Sequence, residues 1–159
     1  MAEYQSIIDL LTGKPDFKDY QQKAEKYISR PHFKGTQMTG EMLRNAAEKT
    51  FNEQNMLIPI ELSLAQAQKE SSMGTKGRSP VNNPFNVGEF DEGTKLEFDS
   101  PQKGINAYYD LIARRYLNSK TIEQLLSNFT NDEGNRYAKD PGYETYLQNQ
   151  MPFIKKYFK

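Results

Sequence analysis

The sequence predicts a mainly α-helical domain with one small irregular lobe. Three observations lead there. Apolar residues recur at three- and four-residue spacing through most of the chain, as one face of a helix requires. Ser, Thr and Pro stand where several of those runs begin, the positions at which they cap or open a helix. A single stretch, residues 74–100, drops the period and fills with Gly, Pro, Asn and acidic side chains. At 159 residues and 18.4 kDa the chain has the size of one ordinary domain and can bury a core without staples.

Taken in order, residues 3–11 and 17–28 read as two short helices forming an N-terminal layer. Thr39 is the expected N-cap of a helix over about 40–55, whose Met42, Leu43, Ala46, Ala47 and Phe51 share a face. Pro59 opens the most apolar helix, with Ile60, Leu64 and Ala67 on one side and Gly74 as its stop, so this helix is expected at the centre. In the lobe that follows, Val87, Phe90, Leu96 and Phe98 are the apolar anchors, and one short β-hairpin is expected. Ser100 and Pro101 begin a helix to about 117, carrying Ile105, Tyr108, Tyr109, Ile112 and Tyr116 inward. Thr121 caps a helix to about 129, and a final amphipathic helix runs from 143 towards 158. No repeat, linker or low-complexity segment divides the chain, so residues 1–159 form a single domain.

Composition removes several function classes. Lys plus Arg is 21 and Asp plus Glu is 21, so no global basic field attracts nucleic acid. The absence of cysteine excludes disulfides, thiolate metal sites and cysteine nucleophiles. His32 is the single histidine and sits in a turn-like Arg30-Pro31-His32-Phe33 stretch, which rules out paired-histidine zinc sites; no Gly-x-Ser-x-Gly elbow presents a serine nucleophile. Neither a metal nor another cofactor is expected. Glu3 stands where a signal peptide would be positive, and no apolar run approaches the roughly 20 residues that span a bilayer. The expectation is a soluble protein without a readable signal peptide and without membrane insertion.

Glycosidic cleavage needs a carboxylic acid that keeps its proton near neutral pH and a group that stabilises positive charge at the sugar carbon. Glu70 meets the first need by position: it lies in the last turn of the most apolar helix, where the macrodipole disfavours a carboxylate. On a helical wheel it flanks the Ile60, Leu64 and Ala67 face and shares a side with Ser63 and Gln66, at the edge of the core. Spacing alone favours an ordinary surface glutamate near a helix end, since exposed glutamate is the rule.

Four blocks of sequence resemble one family in order and in distance. Ala65-Gln66-Ala67-x-x-Glu70-Ser71-x-x-Gly74 is similar to the signature around the catalytic glutamate of the glucosaminidase family of peptidoglycan hydrolases. Asn82-Asn83-Pro84-Phe85-Asn86-Val87-Gly88 resembles the segment lining that family's glycan cleft. Phe98-Asp99-Ser100 with Gly104-Ile105 and Ala107-Tyr108-Tyr109 forms the third block. Tyr137-Ala138-Lys139-Asp140-Pro141-Gly142-Tyr143 resembles the family's Tyr-Ala-x-Asp-Pro-x-Tyr motif. Ser72 and Met73 stand where a tryptophan and a glycine are common in the family, and Asn86 replaces a usual glycine.

The resemblance implies an α+β lysozyme-like fold, with a helical bundle around a central buried helix. It covers residues 57–157 as a catalytic core and leaves residues 1–50 as a helical accessory layer. It also implies a glycosidase that cuts the β-1,4 bonds between N-acetylglucosamine and N-acetylmuramic acid in bacterial peptidoglycan, with Glu70 as the acid. Glu97 and Glu92 lead the acidic residues of the lobe as candidates for the second carboxylate. An inverting enzyme sets the pair about 6.5–9.5 Å apart and a retaining one about 5–5.5 Å. Tyr137 is the cleft tyrosine of the resemblance, and its hydroxyl suits either support of developing charge or core packing. Ser71, Asn82, Asn83, Phe85, Asn86, Tyr108 and Tyr143 complete the expected substrate wall. Two alternatives stay open at this point: lytic transglycosylation of the same glycan, and a glycan-binding or virion structural module without catalysis. The implied settings are phage lysis, a virion or a secretion system, where other proteins of those assemblies would be partners.

Overall fold

The computed structural model describes residues 13–77, 81–88 and 97–159. Helix α1 (Phe17–Ile28) begins where the Asp16 carboxylate accepts from Asp19 N at 3.0 Å, satisfying a donor that the first turn cannot use internally. A 3₁₀ turn, Pro31–Phe33, leads on. Helix α2 (Gly40–Gln54) is capped by Thr39 as expected and ends at Asn55 in the left-handed region, φ 54°. Its first residue fits only because it lacks a side chain: a Cβ on Gly40 would stand 2.5 Å from the Gln21 carbonyl oxygen of α1.

Helix α3 (Ile60–Ser71) is buried along nearly its whole length, with Ile60, Leu62, Ser63, Leu64, Ala65, Gln66, Ala67 and Ser71 all removed from solvent. Pro59 takes the cap position, one residue before the expected first turn. The helix closes at Ser71, earlier than Gly74 alone suggested. Helix α4 (Pro101–Leu111) starts on Ser100, whose hydroxyl accepts from Lys103 N. The expected continuation to about 117 is present, but as a π-helical turn over Ile112–Tyr116 closed by Leu117 N donating to Ile112 O at 2.8 Å. One extra residue per turn is thus inserted where a regular α-helix was expected. Helix α5 (Ile122–Ser127) opens with a capping box between Thr121 and Gln124, and α6 (Tyr143–Lys155) runs into a 3₁₀ turn, Lys156–Phe158.

The architecture is mainly α, as predicted. Helix α1 packs on α2, α2 on α4, and α3 lies against both α6 and α1. The expected β-hairpin is not found among the described residues; part of that expectation, including Phe90, Leu96 and Glu92, falls on residues 89–96, outside them. Extended pairing among the described residues amounts to a bridge between Thr130 and Arg136, where the five residues between them turn the chain back on itself. The expected helix over residues 3–11 also lies outside the described residues.

Two buried features tie the first helix to the rest. The Tyr20 hydroxyl donates to Ile58 O at 2.8 Å, so its single proton is used, and the Tyr109 hydroxyl donates to it across 2.7 Å. Burial pushes the Tyr20 phenol well above the ordinary tyrosine range, with Tyr109 adding to it, and the group stays a neutral donor. At the other end of α1 the Arg30 guanidinium sits 4.3 Å from the Tyr157 ring and 4.9 Å from that of Tyr27, with Phe33 and Phe153 also around it. This cation–π cluster joins the start of the described chain to its end.

Replacing Tyr20 by Phe removes the hydroxyl between Ile58 O and Tyr109 and leaves both groups in a dry site. The expected cost is about 1–3 kcal/mol, read as a lower urea midpoint with an unchanged slope; an unchanged midpoint would show that water replaces the lost bonds.

Candidate active site

The site is built on the way α3 ends. Met73 N donates to Ala67 O and Ser72 N to Gln68 O, each at 3.0 Å, the pair of bonds that closes a helix when the following backbone turns left-handed. Ser72 (φ 47°), Met73 (φ 63°) and Gly74 (φ 78°) all adopt that conformation in succession. Met73 is the costly one, because a non-glycine side chain there crowds its own backbone. Its full burial in the core and a 2.5 Å bond from the Thr36 hydroxyl to Met73 O hold it in place.

Ser71 fixes the reversal. Its hydroxyl donates to Pro84 O at 2.6 Å and accepts from Gly74 N at 2.8 Å. Residues 71–74 are thereby sewn to the 81–88 loop, and Glu70 is left half-buried at the junction. From that loop the Asn86 amide donates to Glu70 Oε1 at 3.0 Å and to Glu70 O at 3.2 Å. Asn86 is itself left-handed at φ 53°, a conformation that asparagine tolerates better than most residues.

Behind Glu70 stands a wall of tyrosines organised by one buried amide. Gln66, a turn earlier on α3 and fully buried, donates to the Tyr143 hydroxyl at 3.0 Å and accepts from the Tyr108 hydroxyl. The Phe85 ring stacks on Tyr108 with 3.7 Å between centroids, and Tyr137 lies nearly parallel to Tyr143 at 6.0 Å. Burial first, then neighbouring charge and hydroxyls, raise the phenols of Tyr108, Tyr137 and Tyr143 well above their ordinary range. The Glu70 carboxylate contributes to all three shifts. These side chains therefore stay neutral, and for Tyr143 the cause includes a direct hydrogen bond with Glu70.

The 81–88 loop is held from three sides. Asn83 donates to Val87 O and accepts from Val87 N, closing a tight turn inside the protein. Asn82 donates to Phe98 O at 3.0 Å, which ties the loop to the strand-like approach to α4. Gly104 of α4 lies so close that a Cβ there would sit 1.9 Å from the Asn82 carbonyl oxygen. The Tyr137 hydroxyl donates to Phe85 O at 2.5 Å.

Tyr137 in turn is positioned by the turn between α5 and α6. Its backbone N donates to Phe129 O at 3.1 Å, and Tyr116 from the π-helical turn packs against its ring. The π turn also leaves Arg115 O free of its own helix to accept from Asp132 N at 2.8 Å, while the Arg115 side chain holds Asp132 and Glu133. Arg136 grips Glu144 through both guanidinium nitrogens at 2.6 and 2.7 Å, and Phe129 N donates to the same carboxylate. The Arg136 bonds, together with the donor from Phe129, hold the Glu144 carboxyl down at about 2.

The structure brings together Glu70, Ser71, Asn86, Phe85, Tyr108, Tyr137 and Tyr143 from the predicted set. Ser71, Asn83, Phe85, Tyr108 and Tyr143 are buried and frame the site from within, whereas Glu70, Asn82, Asn86 and Tyr137 are half-buried at its surface. Glu97 is exposed, next to the Phe98 anchor, and Glu92 lies outside the described residues. Gln66 and Gly104 had not been singled out as site residues. A polar side chain on the apolar face of α3 and a glycine inside a helix are the signals that mark them. Among the described residues no group of three or more His, Asp or Glu side chains gathers to hold a metal ion, and no helix is long and apolar enough to cross a membrane.

The family model for glucosaminidase, described as mannosyl-glycoprotein endo-β-N-acetylglucosaminidase, matches residues 45–157. The chain belongs to the glucosaminidase family. The matched span runs from within α2 to the 3₁₀ turn after α6 and contains every residue of the site just described except Thr36. This glucosaminidase is a glycosidase of the peptidoglycan-hydrolase type, and its substrate is a glycan. No curated protein matches it.

Gly104→Ala should displace the Asn82 backbone and cost about 1–3 kcal/mol through overpacking, with altered amide shifts across residues 82–88; unchanged shifts would mean α4 moves instead. Glu144 has its folded carboxyl depressed from the ordinary 4.5 to about 2. Its pairing with Arg136 therefore stabilises the fold fully above the ordinary range and is lost as pH falls through that interval. The Glu144→Gln variant should be less stable at neutral pH and should lose less stability between pH 5 and about 2 than the parent, as measured by urea unfolding at several pH values.

Proposed function

We propose that Glu70 is the general acid of a peptidoglycan glycosidase that cleaves the β-1,4 bond between N-acetylglucosamine and N-acetylmuramic acid. One observation carries this reading: a half-buried carboxyl at the close of the central helix faces three neutral phenols and accepts from Asn86. A proton passes from the Glu70 carboxyl to the glycosidic oxygen as the C1–O bond breaks and its electron pair moves to that oxygen. Water then adds at C1 and gives its proton to a base, for which Glu97 and Glu92 are the candidates. Tyr137 and Tyr143 offer the hydroxyl dipoles nearest the developing charge. Asn82 and Asn86, at the surface of the wall, suit the acetamido groups of the sugars. The setting proposed for it is the bacterial wall, reached as a phage lysis or virion component or by a route other than general secretion.

Lytic transglycosylation is the second reading. It is favoured by the fact that, among the described residues, Glu70 is the one carboxylate acting on the hydroxyls of Tyr108, Tyr137 and Tyr143. In that reaction a sugar hydroxyl captures C1 in place of water, and a single protein carboxyl serves as acid and then base.

Glu70→Gln should keep the thermal midpoint of the parent and lose about 10²–10⁴-fold or more of its clearing of purified cell walls; clearing at the parent rate would sink the assignment. Mass spectrometry of the fragments separates the reactions. Reducing N-acetylglucosamine ends mark the glucosaminidase, reducing N-acetylmuramic ends a muramidase, and anhydro-muramic ends the transglycosylase.

A further inference from the structure

We propose that Asn86 is a positioning residue for Glu70, whose side-chain amide locks the carboxyl against the end of α3 and sets its proton affinity. The inference rests on the reading of Glu70 as the acid and assigns Asn86 a role beyond contact with the sugar. Three features of the geometry support it. The same Nδ2 reaches both the carboxyl Oε1, at 3.0 Å, and the backbone O of Glu70, at 3.2 Å, so the carboxyl is referenced to its own main chain. Asn86 N donates to Asn83 O at 3.2 Å, and the Asn83 side chain closes the turn on Val87 through two bonds, so the donor sits on a loop tied within itself. The left-handed backbone of Asn86, φ 53°, aims the amide at α3.

An N–H donor interacts more strongly with a carboxylate than with the neutral acid, so this bond pulls the Glu70 proton affinity down. The groups facing Glu70 from the surrounding described elements are Tyr108 of α4, Tyr143 of α6 and Tyr137 of the preceding turn. On its own helix, Lys69 is turned to Asp140 at 3.1 Å and to the Tyr146 ring. Burial and the macrodipole at the end of α3 push the carboxyl towards its protonated form, and the Asn86 amide opposes them. The balance sets the pH at which the acid gives up its proton to bulk water.

The test is a ¹³C titration of the Glu70 carboxyl, assigned by its disappearance in Glu70→Gln, in the parent, Asn86→Gly and Asn86→Asp. Glycine suits the left-handed backbone and removes only the amide, so the fold should persist. The expected result is a Glu70 midpoint raised by about 0.5–1 unit in Asn86→Gly, with the alkaline limb of wall clearing moving upward in parallel. Asn86→Asp places a second carboxyl against Oε1 and should split the titration into two steps, the upper one above the parent midpoint. That variant also carries the test if Asn86→Gly does not fold. A folded Asn86→Gly whose Glu70 midpoint stays where the parent's is, or an Asn86→Asp with one unshifted step, would overturn the proposal. The two readings fail separately: an unmoved titration with an inactive Glu70→Gln leaves the acid and removes the role of Asn86. A moved titration with an active Glu70→Gln leaves the coupling and removes the acid.

Discussion

The hydroxyl of Ser71 is the point at which the two halves of the site are joined. It bonds at once to Pro84 O and Gly74 N, and both the exit of α3 and the 81–88 loop are placed by it. Without that bridge the left-handed run through Ser72 and Met73 has little to hold it, since consecutive non-glycine residues in that region crowd their own backbone. The bridge explains why the run is affordable: the stretch is over-determined by Ser71 on one side and by Thr36 on Met73 O on the other. The reversal keeps Glu70 at the helix end without letting the chain continue over it. Helix termination and the placement of the Glu70 carboxyl are one structural event.

A second consequence of the same arrangement is a polar network inside an otherwise apolar core. Gln66, Tyr108 and Tyr143 satisfy one another within the protein, and two residues further along α3 the half-buried Gln68 donates to Tyr146 and Gln150. Buried polar groups are favourable only when nearly all are paired, because the alternative is an unsolvated dipole. The result is a wall of aromatic rings whose hydroxyl ends are fixed in place. The rings support the site from within, and their fixed dipoles need no reorganisation to act on the Glu70 carboxyl beside them.

Much of the fold was legible because it depends on local chemistry. Thr39, Ser100 and Thr121 each cap the helix they were expected to cap, since an N-cap needs only a short oxygen-bearing side chain at the right residue. The central place of α3 followed from its apolar content, and the likeness around Glu70 and Tyr137 pointed to residues that do converge. The π-helical turn was not legible, because nothing in Ile112–Tyr116 departs from a helical pattern. The contacts that accompany it, the bond from Asp132 N to Arg115 O and the packing of Tyr116 on Tyr137, come from residues distant in sequence. The buried framing role of Asn83 and Phe85 was equally hidden, since a side chain that lines a wall and one that supports it from behind can be the same residue type. The partner of Glu70 was unreadable for a different reason: the acidic residues of the lobe share no period that would orient any of them.

The cluster around Arg30 has a bearing on where such a protein works. The other ties on the surface are mostly ion pairs such as Lys23–Asp19 and Arg114–Asp110, which mobile ions weaken. A half-buried guanidinium ringed by Tyr27, Phe33, Phe153 and Tyr157 depends on polarised π-faces, and arginine keeps its charge across the whole biological pH range. The clasp between α1 and the end of α6 is therefore the kind of contact that survives dense, fluctuating charge. In any medium crowded with ionic polymers, this junction keeps more of its strength than the ion pairs around it.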